Sequence, residues 1–237
     1  MNPEIAIRNA QVYRFLADAL IYPQYNWLEN LASLNRIFHE LGLPELEVNA
    51  NPVDLPSLQS EHRQIFGLTG SLCYETEFGL PHEFRQVQEL ADITGFYQAF
   101  GFKLGGSVRE RPDHIAVEVE FMHLLALKEA YAISNGTKEQ VETCIDGQKN
   151  FLKEHLGRWI GLFSQAVCLN QNNQGSEMPY FEAEKDVYPK IVTCAAAFVE
   201  YHAKNLGLKI EPPQLSEVRP TPLGADLSCG ECQVAGH

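Results

Sequence analysis

Apolar residues in this chain recur at the three- and four-residue spacing of a helix, and no stretch alternates apolar and polar as a half-buried strand does. The first stripe is Ile5, Val12, Phe15, Leu16, Ala19 and Leu20. It is opened by Asn2-Pro3-Glu4, which supplies cap, first-turn proline and first-turn acid in order. Asn26 predicts a second cap, with Trp27, Leu28, Leu31, Leu34, Phe38 and Leu41 inward and Gly42 as the stop. A loop over 43–56 carries Pro44, Pro52 and Pro56, and Leu58 to Phe66 resumes the helical spacing. Further helices are expected over about 83–100, from Pro112 to about 136, and over about 138–156, 158–171 and 184–205. Pro189 should kink or delay the last of these, and Gly207 ends it. The expected fold class is therefore all-α, a single globular helical domain over 1–207. From 208 to 237, Pro212, Pro213, Pro220 and Pro222 with few large apolar groups predict an extended or disordered tail.

Composition removes several functions. Eighteen basic against 31 acidic residues leave a net charge of −13, with no basic run to displace counterions from phosphates, so nucleic acid is excluded as a partner. The start shows no basic segment followed by an apolar run, and no window reaches the roughly 18 apolar residues of a membrane span. Cys144, Cys168 and Cys194 fall in helical apolar contexts, where free cysteine acts as a small hydrophobe. A cytoplasmic location follows as the expectation. Cys229-Gly-Glu-Cys232 with His237 offers three zinc ligands where a closed site needs about four, and a thioredoxin-type motif would need a βαβ setting. These thiols read as incidental to a tail.

The chemically dense stretch is Val108-Arg-Glu-Arg-Pro-Asp-His-Ile-Ala-Val-Glu-Val-Glu-Phe-Met122. Pro112 and Asp113 suit a helix start, where the carboxylate meets exposed N–H groups. His114 and Glu118 are four apart and share a face, which admits a metal-dependent enzyme reading. A third ligand is missing, because His123 lies about half a turn around the helix. Glu118 and Glu120 point about 160° apart, whereas Asp113 and Glu120 share a face with Val117 and Leu124. Arg109 and Arg111 would neutralise such acids, giving an ion-pair network that fixes a loop against a helix start. Lys103-Leu-Gly-Gly-Ser107 suggests a nucleotide-responsive switch, but the Gly-Lys-Ser/Thr ending and a preceding strand are absent.

Three segments in this order carry a resemblance. They are Cys73-Tyr-Glu-Thr-Glu-Phe78, Gln88-Glu-Leu-Ala-Asp-Ile-Thr-Gly-Phe-Tyr-Gln-Ala-Phe-Gly101 and Glu110-Arg-Pro-Asp-His-Ile-Ala-Val-Glu-Val-Glu-Phe-Met122. Together they resemble the TorD/DmsD/NarJ family of redox-enzyme maturation chaperones, over a core of about residues 60–135. The resemblance implies a TorD-like helical bundle that is not an enzyme and has no cofactor of its own. It implies binding of the apo catalytic subunit of a molybdenum oxidoreductase of the DMSO reductase family, before cofactor insertion and export. It also implies binding of that subunit's twin-arginine leader in some members, and either a monomer or a domain-swapped dimer. Carried over by motif, the client- and leader-binding residues are Tyr74, Glu75, Phe78, Arg111, Pro112, Asp113, His114 and Glu118. Carboxylates suit guanidinium groups, and Tyr74, Phe78 and Phe84 would cover apolar peptide, so the expectation is an exposed acidic-aromatic surface.

Overall fold

The computed structural model describes residues 2–48, 53–67, 73–78, 85–105, 110–174 and 187–210. The described residues form eight α-helices: α1 (Pro3–Leu20), α2 (Leu31–Leu41), α3 (Leu55–Phe66), α4 (Arg85–Ala99), α5 (Ile115–Asn135), α6 (Lys138–Glu154), α7 (Leu156–Gln174) and α8 (Val187–Asn205). Among the described residues there is no strand, only an isolated antiparallel bridge between Tyr74 and His114. The all-α expectation holds.

The local signals explain most helix ends. Asn2 Oδ1 accepts the Glu4 N–H at 3.0 Å, and Gly42 closes α2 in the left-handed region at φ 71°. Asn26 does cap, but it caps a 3-10 turn over Trp27–Asn30, and α2 begins only at Leu31. The cause is a second bond from the same side chain, whose amide donates to the Val53 carbonyl at 2.8 Å and ties the turn to the chain entering α3. Pro189 falls within the first turn of α8, where a missing N–H costs nothing. Glu61 on α3 reaches across to accept the Val187 and Tyr188 N–H groups at 2.8 and 3.1 Å, so α8 is capped by a different helix.

α1 lies along α5 and touches α2 and α8, α5 packs on α6, and α6 and α8 both pack on α7. Arg14 meets Glu120 while Ala10 meets His123, so α1 and α5 run antiparallel. Two aromatic groupings fill the core. Tyr13, Trp27, Phe66, Tyr188 and Phe198 sit between α1, α3 and α8, and Tyr97, Phe121, Phe151, Trp159 and Phe163 sit between α4, α5, α6 and α7. Burying each such ring contributes about 1.5–3 kcal/mol. Gly147 on α6 leaves room for the Phe100 ring, which a Cβ there would strike. The helical body extends slightly past 207, since Leu208 and Ile210 pack against the core. The expected tail beyond, with its prolines, Cys229, Cys232 and His237, lies outside the described residues. Among the described residues no helix is long and apolar enough to cross a membrane.

Candidate functional site

The segment Cys73–Phe78 is stitched to the start of α5. The Glu75 N–H donates to the Asp113 carbonyl at 2.9 Å and the Ile115 N–H donates to the Cys73 carbonyl at 2.8 Å, on either side of the Tyr74–His114 bridge. The two bridge rings meet edge to face at 5.3 Å. Arg111 to His114 form a turn, closed by the His114 N–H on the Arg111 carbonyl at 3.1 Å. His114 itself is extended and is the N-cap of α5, its Nδ1 accepting the Ala116 N–H at 3.2 Å. This corrects the expected helix start. Pro112 and Asp113 precede the helix, so Asp113 does not share a face with Glu120, which lies outside and pairs with Arg14 at 3.3 Å.

Asp113 is fully buried and carries four contacts. Oδ2 accepts from the Thr76 hydroxyl at 2.8 Å and the Thr76 N–H at 3.4 Å, and Arg111 donates through Nε to Oδ1 at 3.0 Å and through Nη2 to Oδ2 at 2.7 Å. Nη2 also donates to the Thr76 hydroxyl at 2.8 Å. The Arg111 guanidinium lies 4.5 Å from the centre of the Tyr74 ring, and the Tyr74 hydroxyl donates to Glu110 at 3.1 Å. The expected ion-pair network fixing a loop to a helix start is thus in place around Arg111. Arg109 lies outside the described residues.

Glu118, one turn further along α5, is also fully buried. Its Oε2 accepts the Trp159 indole N–H at 3.0 Å, while its Oε1 meets no hydrogen-bond partner among the described residues. Glu75 Oε2 lies 3.1 Å from His155 Nδ1, and His155 Nε2 lies 3.3 Å from Asp92 on α4. Burial, and then the Glu75 charge, push Glu118 well above the usual carboxylate range. Burial pushes Glu77 up to about 7 against the pull of Arg111. Burial lowers His114 to about 3, so its ring is neutral and serves as a cap.

The expectation of an exposed acidic-aromatic surface is overturned. Glu75, Phe78, Asp113, His114 and Glu118 are all buried, and Tyr74, Arg111 and Pro112 are half-buried. The reason is that these acids find partners inside the fold, Asp113 in Thr76 and Arg111, Glu118 in Trp159 and Glu75 in His155, and Phe78 packs on Trp159 and Phe163 at 5.3 and 6.5 Å. Phe84 lies outside the described residues. His114 and Glu118 are turned to other partners, and among the described residues no three His, Cys, Asp or Glu side chains are placed to hold a metal. Of Lys103–Ser107, residues 103–105 are irregular backbone and 106–107 fall outside the described residues.

The structure adds Thr76, Glu77, Asp92, His155 and Trp159 to the site. Thr76 and Glu77 lie between Glu75 and Phe78 and were within reach of local reading. His155 lies 80 residues from Glu75 at the break between α6 and α7, where nothing in the local sequence announces its partner.

The sequence model of the family described as "Nitrate reductase delta subunit" matches residues 29–165, a span holding every site residue from Cys73 to Trp159. The chain is 28% identical over 130 residues to the selenate reductase assembly chaperone protein of Thauera selenatis, covering 55% of this chain and 58% of that protein. It is 29% identical over 127 residues to the chlorate reductase assembly chaperone protein of Ideonella dechloratans, covering 54% and 56%. It is 32% identical over 117 residues to the perchlorate reductase assembly chaperone protein of Dechloromonas aromatica strain RCB, covering 49% and 46%. The chain spans about half the length of the curated relatives it matches. With more than half of its residues matched by the family's own pattern, the chain belongs to the nitrate reductase delta subunit family.

Proposed function

We propose that this protein is a cytoplasmic, system-specific maturation chaperone. It binds the apo catalytic subunit of a molybdenum oxidoreductase of the DMSO reductase family and keeps it open to molybdenum cofactor insertion, and it is not itself an enzyme. The observation that carries this reading is that three relatives, each named for the assembly of a reductase, align with this chain while the polar groups of its site are spent on holding a segment to a helix.

Contact with the client, and with its twin-arginine leader where one exists, falls to the half-buried outer layer of Tyr74, Arg111 and Pro112, with Glu110 on the Tyr74 hydroxyl. Glu75, Phe78, Asp113, His114 and Glu118 hold that layer from beneath. The test is co-expression of an untagged catalytic subunit with this protein, followed by pull-down and a molybdenum assay of the subunit. The expected result is one-to-one capture of the apo subunit and a large drop in its molybdenum content when the chaperone is omitted. Equal molybdenum with and without the chaperone overturns the reading. Tyr74→Phe keeps the ring on His114 and Arg111 and removes only the hydroxyl bonded to Glu110, so it should weaken capture with a small change in melting temperature.

A further inference from the structure

Between the end of α2, α7 and α8 lies a cavity of about 470 Å³, within the roughly 300–1,000 Å³ of sites that take a ligand. The buried side chains Phe38, Leu46 and Phe198 line it, joined by the half-buried Leu43. It shares no residue with the segment held at the start of α5.

The wall of this cavity is fixed in place. Gly42 turns the chain at φ 71°, and the Leu43 N–H closes on the Phe38 carbonyl at 2.8 Å. Asn35 then grips both backbone groups of Leu46. Its Oδ1 accepts the Leu46 N–H at 2.9 Å and its Nδ2 donates to the Leu46 carbonyl at 3.2 Å. The chain from Leu43 to Leu46 is thereby held at both ends. Apolar surface kept open in this way marks a place that a partner covers.

The charges at the cavity say what kind of partner. Lys190 and Glu45 both line it without forming an ion pair, and Lys190 has no hydrogen-bond or ion-pair partner among the described residues. Lys190 is half-buried in the opening turn of α8, where the helix dipole disfavours a cation. An unpaired ammonium so placed calls for an anion. Glu45 is exposed and comes from the other wall. A simple amphiphile would bring its anion to Glu45 as well as to Lys190. A polypeptide can carry its own cation for Glu45.

We propose that this cavity is a second hold on the client, taking a large apolar side chain flanked by an acidic residue on Lys190 and a basic residue on Glu45. The inference rests on the chaperone reading and adds to it a separate site with its own partner chemistry. Lys190 repels paired guanidinium groups, so the segment held here is not the twin-arginine leader.

The test is pull-down of the co-expressed, untagged catalytic subunit, with two variants and one label. Ala197 is exposed on α8 at the cavity, so Ala197→Trp fills the opening without entering the core. It should cut capture about tenfold, as loss of an anchor pocket does, with the melting temperature unchanged. Should it melt early, Thr193→Trp, also at an exposed lining position, carries the same expectation. Lys190→Glu should weaken capture more at low salt than at high salt. Cys168 is half-buried in the lining, and its alkylation by N-ethylmaleimide, read by peptide mass spectrometry, should be slower in the captured complex than in the free protein. A wild type that captures nothing overturns the chaperone reading and this inference with it. Equal capture by wild type and the tryptophan variant, or equal Cys168 alkylation free and captured, overturns the cavity site alone. Loss with the tryptophan variant but not with Lys190→Glu overturns the acidic partner chemistry.

Discussion

The molecule buries polar groups in two places and treats them in opposite ways. Between α1, α3 and α8 the buried titratable groups include bases: Tyr13 and His202 share a bond at 2.8 Å, and His62 faces the Leu20 carbonyl among Tyr22, Phe66 and Tyr188. Burial lowers His62 and His202 each to about 4. Around the start of α5 the buried groups are chiefly acids, and burial raises Glu77 to about 7 and Glu118 well above its ordinary range. Desolvation drives both sets toward neutrality, by losing a proton in one region and by keeping one in the other. The difference teaches that one fold can carry two opposed responses to pH, separable by position.

The largest expected effect that could break this contrast is at Asp113. Asp113→Ala leaves the Arg111 guanidinium without its buried partner and should cost about 3–5 kcal/mol. For a body of this size that lowers the melting temperature by roughly 2–4 °C per kcal/mol, read by calorimetry. Tyr13→Phe, in the basic region, orphans the neutral His202 Nδ1 and should cost less, about 1–3 kcal/mol. If Tyr13→Phe proves the more damaging, the acid region is not the more tightly held of the two.

The pH dependence sharpens the contrast further. His62 and His202 have depressed values, so their contribution is present above about 6.5 and is lost as pH falls through about 4. Glu77 has a raised value, so its contribution is present below about 4.5 and is lost as pH rises through about 7. Glu77→Gln should therefore match wild type in relative terms near pH 4.5 and gain on it by a few degrees toward pH 8, in melts at four pH values. A constant offset across that range would remove Glu77 from the account. The smallest effect belongs to the outer face of the same helix. Glu120→Gln breaks an exposed pair with Arg14 and should change stability by less than about 1 kcal/mol. A cost comparable to Asp113→Ala would erase the distinction between the two faces of α5.

The helices were largely legible in the sequence because caps and apolar spacing act within a few residues, as at Asn2, Gly42 and along Phe15–Leu20. The network around Arg111 was legible for the same reason: Arg111 and Asp113 are two residues apart. What escaped was burial. A run of charges reads as a solvated face until a second segment arrives to satisfy it, and here Thr76 and His155 arrive from 37 residues before Asp113 and 80 residues after Glu75. The helix start departs from the sequence pattern because His114, a residue rarely found as a cap, takes the position that Pro112 and Asp113 suit by residue type.

The bond between Tyr13 and His202 joins residues 189 apart in the chain. A ribosome therefore delivers α1 long before it delivers the helix that completes the α1 contact. Contacts of such separation close late, since a long loop must first lose its freedom. During synthesis α5 becomes available about midway and is the first long helix able to cover α1, in the antiparallel arrangement that the Arg14–Glu120 and Ala10–His123 contacts mark. The pairing therefore lets α1 meet α5 while translation continues, whereas the Tyr13–His202 bond waits for α8, the last of the described helices.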